Sequence, residues 1–199
     1  MKRLIIVTVF ATVLFVGVPS SFASPLTFYT TLSGPNEEPP NGSPATGYAL
    51  VTIDSVLHTM RVQVTFQDLL GPNIAAHIHG PTAVPFSGTA AVATTTPTFT
   101  GFPSGTTSGF FDSTFDMTQA SSYRAGFLAG FGGSTAAAES ALFSSIIDGR
   151  AYLNVHSTVF TGGEIRGFLV QTPEPATMML LGTGLAGVAL KFKRRRKPQ

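Results

Sequence analysis

The chain has 199 residues, no cysteine and a formal net charge of +2, with only 11% of its side chains charged. The lack of cysteine excludes a disulfide framework and any thiolate metal site. The positive charge sits at the ends: residues 24–172 hold four arginines, no lysine and nine carboxylates, a net −5 that excludes the electrostatic footprint of a nucleic-acid binder.

In chain order, Met-Lys-Arg precedes an apolar run of about 15 residues and the small-residue stretch PSSFAS, the anatomy of a secretory signal. Ser21 and Ala23 occupy the small-residue positions, so residues 1–23 are read as a signal peptide cleaved after Ala23. About 150 residues then remain, enough for one domain with its own core. Residues 26–32, 47–54 and 60–69 carry the Thr, Val, Tyr and Phe content of strands. The third alternates, with Val62, Val64 and Phe66 on one face and Arg61, Gln63 and Thr65 on the other. His58 falls in the hairpin loop between the second and third and is expected to be solvated. Residues 74–80, 88–94 and 108–117 are further expected strands, and the Thr/Pro/Gly-rich stretch 95–107 reads as a surface connection.

Helical character comes late. Residues 118–131 suit a short irregular helix weakened by Gly126 and Gly130. Residues 134–149 suit an amphipathic helix with Ser134 or Thr135 as N-cap and Ala138, Leu142 and Ile146 as its sheet-facing stripe; Ser145 is expected on a neighbouring face. Residues 150–157 and 163–170 close the domain as two strands. Seven or eight short strands with regular turn signals predict a mainly β fold, an antiparallel sandwich with Greek-key connections, carrying one or two short helices before the last two strands.

The candidate site follows from period 2. His77 and His79 in AHIHG project to one face of a strand about 6.5–7 Å apart, close enough for two imidazoles to share an ion. His156 shares a face with Tyr152 and Asn154 on another strand. Three neutral imidazoles suit zinc or copper. Glu164 is a candidate fourth ligand, or with Asn154 an outer group orienting an imidazole. The alternative is a metal-free polar cluster in which the histidines hydrogen-bond to Glu164, Arg166 and Asn154. Glu164 and Arg166, on one face of the last strand, are also read as an ion pair with structural or ligand-gripping use. Glu37 and Glu38 precede two prolines and, pointing to opposite sides of an extended segment, are read as a solvated turn rather than a shared site. No phosphate-binding loop, dinucleotide fingerprint or nucleophile elbow is present, and no serine pairs convincingly with His and Asp, so no enzymatic activity is expected.

The tail reads TPEPATMMLLGTGLAGVALKFKRRRKPQ. Ala176 to Leu190 is apolar and uncharged, about 22 Å long as a helix, and would pass into the inner membrane with the following basic cluster held in the cytoplasm. Pro173-Glu174-Pro175, this apolar helix and Arg194, Arg195 and Arg196 together resemble the PEP-CTERM sorting signal of Gram-negative bacteria. The resemblance implies exosortase as a partner, a transient inner-membrane intermediate spanning residues 173–199, and a final place at the cell surface or in the extracellular matrix.

Between the two ends, LSGPNEEPP, AHIHGP, the Ala-rich helix and GRAYLNVHSTVFTGGEIRGFL follow one another as in CHRD domains, so residues 24–172 are identified as a member of that family. The resemblance implies an exported binding or structural domain, with an extracellular polymer or protein as ligand, on an immunoglobulin- or superoxide-dismutase-like sandwich. The His-x-His pair is similar to part of the copper site of Cu/Zn superoxide dismutase, but the rest of that enzyme's zinc-ligand pattern is missing.

Overall fold

A computed structural model describes residues 25–173 together with 183 and 184. Its strands are β1 (Leu26–Ser33), β2 (Thr46–Asp54), β3 (Thr59–Gln67), β4 (Asn73–His79), β5 (Gly109–Asp116), β6 (Tyr152–Ser157), β7 (Ile165–Phe168) and β8 (Val170–Gln171). Two helices, α1 (Ala125–Gly130) and α2 (Thr135–Ile147), lie between β5 and β6. The protein is mainly β and antiparallel, as expected.

All strands belong to one sheet, ordered β4-β6-β7-β1-β2-β3-β5, with β8 also against β1. β1, β2 and β3 form a meander in unbroken register from Leu26↔Ile53 to Thr59↔Asp116 on β5. The connections β3→β4, β4→β5 and β5→β6 then run between the two ends of the strand order, as in Greek-key rather than up-and-down topology. This forces the sheet to curl. β3 and β4 are five strand spacings apart, about 24 Å along a flat sheet. The six residue steps from Gln67 to Asn73 reach about 21 Å even if fully extended, and Asp68 is not extended (φ 62°). The two ends must therefore approach one another, and the connection is tied between them by Leu69 N–H to Thr107 O (3.0 Å) and Asn73 N–H to Thr106 O (2.8 Å).

The inner face of the curl holds the apolar core. Phe28, Leu32, Val51, Val62 and Val64 come from one half of the sheet, and Ala76, Ile78, Leu153, Val155 and Ile165 from the other. α2 lays Ala138, Leu142 and Ile146 on this core, all fully buried, and Ser134 caps it by accepting from Ala137 N (3.3 Å). Ser145, expected on a neighbouring face, is buried too: its hydroxyl donates to Leu142 O (2.9 Å) and lies against Gly80.

Two loops depart from expectation. Residues 88–94 are not a strand; they run beside the end of β4, joined by the single bridge His79↔Val92 and by Gly80 N–H to Ala91 O and Ala93 N–H to Ile78 O. Strand composition is not enough there, because only a short length of the β4 edge is free to pair. Residues 95–107 are more than a surface connection: Phe99 and Phe102 are buried and stack with Phe111 and Phe66. These two rings belong to the apolar core.

Candidate metal centre

On β4, Ala76 and Ile78 face the core, so period 2 turns His77 and His79 to the opposite face of the sheet. Residues paired directly across antiparallel strands share a face. The pairs His77↔Asn154↔Arg166 and His79↔Tyr152↔Phe168 therefore form two adjacent rows across β4, β6 and β7, with His156 beside them, opposite Ala75. On most half-buried sheets such a face would be solvated. Here the loops cover it, and all six residues of β6 are buried.

The three histidines meet. Ring centroids are 4.7 Å apart for His77–His79 and His77–His156, and 6.1 Å for His79–His156. The covering loops supply one carbonyl to each ring: His77 Nδ1 lies 3.1 Å from Pro97 O, His79 Nδ1 2.8 Å from Ala90 O, and His156 Nδ1 2.9 Å from Thr161 O. A carbonyl can only accept, so each Nδ1 must carry the hydrogen, which leaves the lone pair on Nε2. All three Nε2 atoms are buried and have no hydrogen-bond partner. The three residues offer ligand atoms within 4.8 Å of one another.

The electrostatics keep the rings neutral. Burial pushes His77 down to about 3 and His79 down to about 4, aided by the neighbouring imidazoles, and burial likewise lowers His156. Tyr152 stacks on His79 (4.7 Å between centroids, 6° between planes) and its hydroxyl meets Ala90, the residue whose carbonyl fixes that imidazole. The result is a preorganised set of three neutral nitrogen donors.

The histidines are hydrogen-bonded, but to backbone carbonyls rather than to the expected Glu164, Arg166 or Asn154. Glu164 is also outside the ligand group. Its Oε1 accepts from Ser43 Oγ (2.6 Å) and Leu70 N (2.7 Å), joining the start of β7 to the segment before β2 and to the β3–β4 connection. The expected Glu164–Arg166 ion pair is not among the ion pairs of the described residues. Arg166 instead donates from Nε to Asn36 O (2.5 Å) and from Nη1 to Gly88 O (3.2 Å), lies 4.8 Å from the Tyr152 ring centre, and faces Glu37 Oε2 (3.8 Å) and Glu38 Oε2 (3.7 Å).

Glu37 and Glu38 thus reach the same guanidinium, contrary to the reading of a solvated turn. Glu37 keeps extended backbone (φ −69°, ψ 166°) after the 3₁₀ turn at Gly34–Asn36, yet both carboxylates lie beside Arg166, at 3.8 and 3.7 Å. Glu37 is buried, and burial pushes its carboxyl up to about 7 against the opposing pull of Arg166. Asn154 turns its amide toward Gly163 and Glu37: a Cβ on Gly163 (φ 133°) would meet Asn154 Nδ2 at 2.5 Å and both Asn154 Oδ1 and Glu37 Oε1 at 2.8 Å. A cleft of about 430 Å³ opens beside this group between Glu37, Glu38, Phe86, Arg166 and Phe168. His58 is also more than a solvated loop residue, since its Nδ1 is 2.9 Å from Glu139 Oε2 and joins the β2–β3 hairpin to α2.

Sequence reasoning missed the carbonyls of Pro97, Ala90 and Thr161, the stacking role of Tyr152 and the burial of Glu37. Tyr152 alone left a signal, sharing the face of Asn154 and His156; backbone acceptors in loops leave none.

The signal-peptide residues with Ala23, and Glu174, Pro175, Arg194, Arg195 and Arg196 of the tail, lie outside the described residues; Pro173 is described and exposed. Among the described residues no helix is long and apolar enough to cross a membrane, and the segment expected to do so, 176–190, falls outside them except at 183 and 184.

Comparison with known families gives two matches: the CHRD domain over residues 28–169 and the PEP-CTERM protein-sorting motif over residues 171–196. No curated protein and no solved structure matches the chain. The motif is one recognised by exosortase, and it marks the protein for export and processing at the membrane. With the larger match spanning most of its length, the chain belongs to the CHRD domain family and ends in a PEP-CTERM sorting signal.

Proposed function

We propose that this exported domain holds a transition metal, zinc or copper, at His77, His79 and His156, and serves outside the cell as a binding or structural component rather than an enzyme. One observation carries the reading: three buried Nε2 lone pairs converge with no protein donor to satisfy them, while each Nδ1 is held by a carbonyl. A buried acceptor left without a partner costs about 1–3 kcal/mol, so three together call for a cation. Carbonyl-bound Nδ1 atoms are also the usual second contacts of metal-binding histidines. The sorting tail supplies the route, with residues 176–190 held briefly in the inner membrane, exosortase acting near Pro173, and the domain passing to the surface or the extracellular matrix, where it meets a polymer or protein ligand.

The experiment is metal analysis and calorimetric titration of the full chain after chelator treatment. One ion per chain is expected, bound far more tightly than about millimolar. His77→Ala and His156→Ala should each abolish it. Binding in both variants as tight as in the unsubstituted chain, or nothing tighter than about millimolar in that chain, overturns the metal centre.

A further inference from the structure

Resting on that reading, we infer that the metal is monovalent copper, held by the three histidines alone in a closed three-coordinate site. Coordination number is the first argument. Zinc in proteins almost always takes four ligands, the fourth being a protein group or a water. No Cys, Asp or Glu among the described residues joins the three histidines within 4.8 Å. Glu164 lies outside that group, with Oε1 engaged by Ser43 and Leu70, and Asn154 is turned toward Gly163; Glu164 Oε2 and Asn154 Oδ1 are buried without a hydrogen-bond partner, which makes Asn154 the fourth ligand that the test below must exclude. Solvent does not reach the three Nε2 atoms either. Monovalent copper, a d¹⁰ ion without a fourth-ligand requirement, is satisfied by three nitrogens.

Charge is the second argument. The cost of burying an ion rises with the square of its charge, so a divalent ion is penalised about four times as heavily as a monovalent one. All three donors are neutral, and no carboxylate enters the cluster to offset a second charge. The charged groups that bear on the rings are arginines: Arg124 on His77, and both Arg166 and Arg124 on His79. Glu37 and Glu38 offset Arg166, but Arg124 has no carboxylate partner among the described ion pairs. The surroundings thus favour one positive charge over two.

Geometry is the third. Nitrogens 2.0 Å from an ion at the centre of a triangle are about 3.5 Å apart. Ligand atoms within 4.8 Å of one another need an inward movement of about 1 Å at most, within reach of side-chain rotation about carbonyl-anchored imidazoles.

The test uses the full chain. Anaerobic competition against a chromogenic chelator specific for monovalent copper is compared with zinc titration of the same preparation, and X-ray absorption spectra are recorded on each loaded form. The expected result is affinity for monovalent copper at least about tenfold above that for zinc, with three nitrogen ligands and no fourth. His77→Ala should lose this binding; His77→Gln, of similar volume, serves as the check should the alanine variant not fold. Zinc bound as tightly as copper, or a four-coordinate copper centre with oxygen from Asn154 or water, overturns the copper assignment while leaving a metal centre in place. Binding of neither ion removes the centre itself.

Discussion

Burial fixes the charge state of His77, His79 and His156, and that makes stability depend on pH. The unfolded imidazoles take up protons below about 6.5, whereas His77 and His79 in the fold resist protonation until about 3 and about 4, and His156 is lowered likewise. Groups with depressed folded values contribute stability that is present above 6.5 and lost as the pH falls. Glu37 acts in the opposite sense: its folded value of about 7 exceeds the ordinary 4.5, so it favours the fold as the pH falls through that window. The two protons of His77 and His79 outweigh the one of Glu37, and His156 acts in the same sense as the other histidines. The metal-free protein should therefore lose at least roughly 1 kcal/mol of stability per pH unit between about 6.5 and 4.5. Urea midpoints at pH 5 and pH 7 in the presence of chelator measure this, and equal stability at both would contradict the neutral, buried state of the rings.

At the scale of elements, α2 shows which part of a pattern is robust. Its i, i+4, i+8 stripe was legible because about two turns of helix place Ala138, Leu142 and Ile146 on one line, and all three are buried. Ser145 was not, because the buried arc of this helix also includes Glu139 and Phe143, and the helix end packs against Gly80. Leu142→Ala or Ile146→Ala should cost about 2–5 kcal/mol through loss of buried methylenes and the cavity they leave. The exposed Ser144→Ala should change stability by no more than about 0.5 kcal/mol. Denaturant titration of the three variants decides it, and a loss at Ser144 matching that at Leu142 would mean the helix packs by another face.

For the molecule as a whole, the two ends govern where the domain goes and the middle governs what it holds. The mature protein should begin at Ser24 and lose its basic cluster by cleavage near Pro173 to Pro175. Mass spectrometry of the surface or secreted form from a host with exosortase checks both termini. Retention of Arg194 to Arg196 in that form would replace sorting with simple membrane anchorage. A chain whose tail is removed must fold without it, and the contacts among residues 25–173 are consistent with that: β8 and Thr172 close the sheet on β1, with Thr172 N–H donating to Thr27 O (2.8 Å) just ahead of Pro173-Glu174-Pro175.

Local signals by themselves determined the strands β1 to β5, the cap and stripe of α2, the sorting signals and the shared face of His77 and His79, because each depends on residues a few positions apart. The meeting of His156 with that pair depended on β6 lying beside β4, a pairing between segments about 80 residues apart, and period 2 could only place it on a compatible face. The partners were decided by tertiary structure alone. Glu164 went to Ser43 and Leu70, and Arg166 to Glu37 and Glu38, because the curl of the sheet and the 3₁₀ turn at Gly34–Asn36 bring distant chain to those side chains. The protonation of the imidazoles was decided there too. It is set by the carbonyls of Pro97, Ala90 and Thr161, and every residue type carries the same carbonyl, so only the path of the folded backbone could reveal which ones would face the rings.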